Sequence, residues 1–215
     1  MYSAKASGGR WILKDKPIPI TGRSFLLRSG AKKSNLNFVK STTAMKAYRI
    51  EIKWALIYTL AMLVWMAIER LAGLHGPYIE RHALFTNLAF VPAFLIYCLA
   101  LRDKRDHYYG GTMTYREGLV SGLIMTGIVA LLSPLAQVIT HTIITPGYFA
   151  NVSDYAVASG QLTRAEAEQY FNLGSYVVQS AVGSLLVGIF FTAVAAIFFR
   201  KHPSEVIGEP LSGGR

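Results

Sequence analysis

Six polar side chains lie within or at the edge of long apolar runs, where they could do chemistry: Glu69, Arg70, Asn87, Gln137, His141 and Gln179. A carboxylate, a guanidinium, an imidazole and three amides at one depth of a bilayer could hold a ligand or carry an ion. Ionisable groups in hydrocarbon are costly and need a partner, so each is a functional candidate by default. The competing reading is interfacial anchoring, and depth favours it. At about 1.5 Å per helical residue, Glu69 lies about 24 Å along its helix from Lys53, against a bilayer core of about 30 Å. Gln137 and His141 lie about 29 and 35 Å from Gly118 on the same scale. The six are therefore read as a polar layer near one membrane face, with Asn87 in a helix-to-helix hydrogen bond.

No enzyme constellation competes. His75, His82, His107, His141 and His202 are scattered along the chain, and no Cys/His spacing suggests zinc. There is no Gly-rich phosphate loop, nucleophile elbow or HExxH. No catalytic residue, cofactor or metal is expected. The one cysteine, Cys98, precludes an internal disulfide.

These residues must be positioned by membrane-spanning helices. The chain is 52% hydrophobic and only 16% charged, with a mean hydropathy of +0.34, which is too apolar for an ordinary soluble domain. The expected fold class is all-α: a polytopic membrane protein with four transmembrane helices, at about 52–74, 83–101, 118–145 and 173–199. Gly118 to Thr145 carries no formally charged residue. Thr114-Tyr115-Arg116-Glu117 has the spacing of a capping box that starts this helix, and Thr163-Arg164-Ala165-Glu166 should start a short one. Pro92 and Pro134 each free a backbone carbonyl inside a span and should bend it. The longest connection is expected between Pro146 and Leu162; Asn151-Val152-Ser153 within it matches a glycosylation acceptor but carries little weight.

Small residues recur every four positions on two spans. Gly118, Gly122, Thr126 and Ala130 form one ridge; Ser180, Ser184 and Gly188 belong to another, continued by Thr192 and Ala196. Such ridges let helices approach closely, and they are read as packing, with dimerisation through one ridge as the sharper alternative.

Charge is distributed unevenly. Twelve basic residues precede Trp54 against Asp15 and Glu51, which accounts for the entire formal net charge of +10. Nine of these basic residues and Asp15 lie in residues 1–44, so most of the excess belongs to that basic segment, which is expected to be disordered, and not to a nucleic-acid-binding body. Met45 is the expected natural start, residues 45–202 the transmembrane domain, and 203–215 a disordered tail. Basic residues cluster at Lys46, Arg49 and Lys53, at Arg102, Lys104, Arg105 and Arg116, and at Arg200 and Lys201; the other side has Arg70, Arg81 and Arg164. That bias places both termini in the cytoplasm and the protein in the inner (plasma) membrane.

Several segments together resemble the bacterial domain-of-unknown-function family 4199. They are Met45-Lys46 through Trp54-Ala55-Leu56-Ile57, Trp65 to Leu74 with Glu69, Leu71-Ala72-Gly73-Leu74-His75, Gly111-Thr112-Met113-Thr114-Tyr115, Leu132-Ser133-Pro134, and Thr145-Pro146-Gly147-Tyr148-Phe149-Ala150-Asn151. The likeness spans about residues 45–201. It implies a small four-helix integral membrane protein of bacteria and transfers no site. Two classes of function follow. The first is a structural or accessory membrane protein acting through helix packing, with the lipid bilayer and a homo-oligomer or membrane protein as partners. The alternative is a small carrier or lipid- or ligand-binding protein using the polar layer.

Overall fold

A computed structural model describes residues 48–201, and the readings of residues 1–44, Met45, His202 and 203–215 lie outside the described residues. The first span is α1 (Arg49–Leu71). A 3-10 turn over Ile79–Arg81 leads into α2 (His82–Leu88) and α3 (Phe90–His107), which together make the second. The third is α4 (Tyr115–Ile139), prolonged by a π turn over Thr140–Ile144. After α5 (Tyr148–Ala158) and α6 (Arg164–Tyr170), α7 (Leu173–Phe199) is the fourth. Among the described residues, four helices are thus long and apolar enough to cross a membrane.

The arrangement of side-chain sizes supports that environment. Leu71 is 87% exposed, Leu131 82% and Phe198 71%, whereas the buried positions of α7 include Gly188, Thr192, Ala195 and Ala196. Large apolar groups outside and small ones inside is what lipid selects, because helices in hydrocarbon associate by close backbone approach. The core is built accordingly from Ala55, Ala93, Ile96, Tyr97, Ala100, Met125, Val129 and Phe191.

α4 and α7 form the most extensively packed helix pair. A Cβ added at Gly118 would meet Ala196 Cβ at 3.3 Å, one at Gly122 would meet Thr192 Cγ2 at 2.3 Å, and one at Gly188 would meet Thr126 Cγ2 at 2.5 Å. The two small-residue ridges therefore face each other within one chain. Further along, Ser180 and Ser133 hydroxyls stand 3.5 Å apart, Ser184 turns its hydroxyl back to the Ala181 carbonyl, and Ala130 is buried.

Both capping boxes form in full, at Thr114 with Glu117 and at Thr163 with Glu166. The prolines act differently from each other. Pro92 has no N–H for the Leu88 carbonyl, and the helix is interrupted there: α2 ends at Leu88 and α3 begins after Ala89. Pro134 leaves the Ala130 carbonyl in the same position, but the Ser133 hydroxyl donates to that oxygen at 3.0 Å and α4 runs on. The irregularity of the third span comes later, at the π turn, where the Thr145 N–H closes on the Thr140 carbonyl at 2.7 Å.

Three boundaries depart from expectation. The second span begins in the 3-10 turn and runs to His107, past the expected end at Leu101; nothing before Gly110 and Gly111 breaks the helix, and both adopt positive φ. Pro146 to Leu162 is not an open connection but holds α5, whose Tyr148 and Ala156 are buried. The first helix ends at Leu71, three residues early, for a reason that matters at the site.

Candidate functional site

Gly73 adopts φ +79, and the chain there forms a Schellman cap. Its N–H donates to the Arg70 carbonyl at 3.1 Å, and the Leu74 N–H donates to that of Glu69 at 3.0 Å. The cap folds the chain back over its own helix, so His75 returns to Glu69, with Nε2 3.2 Å from Oε2. The side chain of Asn151 in α5 holds this return in place, its Nδ2 donating to the His75 carbonyl at 2.7 Å. The 3-10 turn brings the second imidazole, placing His82 Nδ1 3.5 Å from the same Oε2.

The other carboxylate oxygen is fully engaged. Trp65 Nε1, one helical turn before Glu69, donates to Oε1 at 2.7 Å, and the Thr86 hydroxyl donates to it at 2.9 Å. Glu69 and His75 are almost wholly buried, at 2% and 0% exposure. One ligand atom from each of Glu69, His75 and His82 lies within 4.8 Å of the other two, so these three side chains could hold a metal ion.

Aromatic rings close the cluster. The Tyr148 ring lies 5.3 Å from that of His75, 5.2 Å from His82 and 5.3 Å from His141. His141, delivered by the π turn, stacks on Phe149 at 4.3 Å and meets Tyr176 edge-on. Burial pushes the Tyr148 phenol well above its ordinary value, so it stays protonated; its oxygen is 3.4 Å from the Tyr176 hydroxyl.

Beside the cluster, all four spans line a cleft of about 620 Å³. Its wall mixes Tyr58, Met62, Phe90 and Val187 with Thr86, Ser133, Gln137, Tyr176, Gln179 and Ser180. Thr86 belongs to both features: it faces the cleft and donates to Glu69.

The six residues singled out from sequence separate into groups. Gln137 and Gln179 share the cleft, and Tyr170 donates to the Gln179 carbonyl oxygen at 3.4 Å. Glu69 and His141 are buried, in the carboxylate network and the aromatic cluster respectively. Arg70 and Asn87 are exposed. The Glu69 carboxylate is enclosed by side chains from α1, the turn after it and α2.

Sequence reasoning missed His75 and His82, which read as scattered. The available signal was Gly73 just after an apolar run, a helix-stop that returns the next residues toward the last turn. It also missed a buried ion pair at the opposite end of the bundle. Lys104 Nζ lies 2.8 Å from Glu51 Oε1, and the Ser121 hydroxyl donates to the same oxygen at 2.7 Å. Next to it Asp103 pairs with Lys53 and accepts from Trp54 Nε1 at 2.6 Å, so Lys53 points to a partner.

No curated protein and no solved structure matches the chain. A family model described as a protein of unknown function, DUF4199, matches residues 53–201, which contains all but the first few described residues, with the whole of the Glu69 cluster and of the cleft. The chain therefore belongs to the DUF4199 family.

Proposed function

We propose that this protein binds an amphiphilic ligand, a lipid or a small-molecule cargo, in the cleft between its four spans. The observation that carries this reading is the cleft itself. Its volume of about 620 Å³ lies within the range of about 300–1,000 Å³ typical of ligand pockets, and its apolar wall carries a few polar groups able to orient a headgroup. The protein is placed in the bacterial inner membrane with both termini cytoplasmic, on the support of the basic residues flanking each span. The polar layer then lies toward the outer face.

A structural or accessory role through the small-residue ridges draws less support. Gly118 and Gly122 of the α4 ridge and Gly188 of the α7 ridge are packed against the facing helix within one chain, so this part of the ridges is not open to a second copy.

The test is what the full chain retains from membranes in mild detergent. Native mass spectrometry of the wild type should show a bound lipid or small molecule in a defined stoichiometry. Gly183→Phe, which fills the cleft where a Cβ at Gly183 meets nothing within 4 Å, should lose it while remaining monodisperse. Equal retention by both proteins would remove the cleft from consideration. Reporter fusions at Lys53, Gly110 and Asp154 test the orientation.

A further inference from the structure

We propose that Glu69, His75 and His82 form a binding site for a divalent transition-metal ion of the zinc class. Ligand atoms about 2.0–2.2 Å from a tetrahedral zinc stand about 3.3–3.6 Å from one another. Glu69 Oε2 is 3.2 Å from His75 Nε2 and 3.5 Å from His82 Nδ1, and one ligand atom from each of the three residues lies within 4.8 Å of the other two. Two imidazoles and one carboxylate are a borderline donor set suited to zinc rather than to magnesium or calcium, which prefer oxygen.

The surroundings are those of a built site. Trp65 and Thr86 occupy Oε1, which orients the carboxylate and leaves Oε2 turned to the imidazoles. The Schellman cap at Gly73 and the Asn151 bond to the His75 carbonyl fix the loop that carries the first imidazole. A buried carboxylate facing two imidazoles is a donor set whose desolvated negative charge a bound dication would compensate. Three protein ligands leave a fourth position, and Glu69 also lines a recess of about 360 Å³ from which a water or ligand oxygen could fill it.

The proposal goes beyond the cleft reading and does not rest on it: lipid retention tests one, metal uptake the other. The full chain, untagged and stripped with chelator in detergent, is titrated with Co²⁺ and then Zn²⁺. One Co²⁺ per chain should bind with the intense visible absorption of a tetrahedral site, and Zn²⁺ should displace it. His75→Ala and Glu69→Gln should each weaken binding at least about tenfold, and Trp65→Phe about tenfold through the carboxylate it orients. His141→Ala, which removes a ring stacked on Phe149, should bind as the wild type does. His82→Cys supplies a readout that misfolding cannot imitate, a new thiolate-to-cobalt absorption band lacking in the wild type, whose single cysteine is Cys98 on the second span. If folded wild-type protein takes up no more Co²⁺ than the Glu69→Gln variant, or His82→Cys binds Co²⁺ without the thiolate band, these residues are a hydrogen-bonded network only and the proposal is wrong.

Discussion

The Lys104 ammonium lies 2.8 Å from the Glu51 carboxylate, and each is at most 4% exposed. The pair joins the first span to the second at the end of the bundle opposite Glu69, with Ser121 of the third span donating to the same oxygen. Removing Lys104 takes the ion-pair partner from the buried Glu51 carboxylate, and breaking such a pair costs about 3–5 kcal/mol. Glu51→Gln or Lys104→Met should therefore lower the denaturing detergent midpoint sharply, and the Glu51→Gln/Lys104→Met double variant should recover much of the loss. A double variant as unstable as the sum of the two singles would show that the charges do not act as a pair.

Gly73 carries the left-handed conformation on which the return of His75 depends. Any residue with a Cβ pays about 1–2 kcal/mol there, and its Cβ would also press on Tyr78 Cδ2 at 3.1 Å. Gly73→Ala should destabilise the protein by at least that amount. Gly76→Ala, where φ is not positive and the nearest contact is Asn151 Nδ2 at 3.7 Å, should be milder. Equal effects at both positions would refute the conformational argument.

The ridge contacts divide the glycines of the third and fourth spans into two sets. Gly122→Ala and Gly188→Ala force a Cβ to within 2.6 Å of side chains on the facing helix and should separate α4 from α7. Gly127→Ala meets nothing within 4 Å and should be neutral or stabilise the helix by up to about 1 kcal/mol. Unfolding in detergent distinguishes the sets. A change of oligomeric state without loss of stability in Gly188→Ala would contradict internal packing.

Ser133 serves the carbonyl that Pro134 leaves without a donor. Ser133→Ala should cost about 1–3 kcal/mol, the penalty for an unsatisfied buried polar group. In Pro134→Ala an N–H is restored, so adding Ser133→Ala to that background should cost little. Additivity of the two substitutions would be inconsistent with a shared acceptor.

Glu69 was legible as a candidate because a carboxylate in an apolar run needs a partner, and the ridges were legible because four-residue spacing puts small groups on one helix face. Their partners were not. His75 reaches Glu69 only through the reversal at Gly73, and His82 only through the 3-10 turn after it. Depth alone assigned Glu69 to an interface, because counting residues along a helix measures height in the bilayer and says nothing of which neighbours enclose a side chain. Sequence places Lys104 beyond the second span, in a charged stretch from Arg102 to Asp106 that resembles an exposed segment. In the structure the stretch is helical, and Lys104 within it is buried against Glu51.

The sequence by itself determined the number of spans, their approximate ends, both capping boxes and the family, because hydrophobic length, capping spacing and motif order are local properties of the chain. Only the tertiary structure decided what the polar residues do. Which imidazoles face Glu69, and that Gly118, Gly122 and Gly188 of the two ridges pack against the opposite helix, depend on how segments distant in sequence are brought side by side. Spacing along a chain does not encode those contacts.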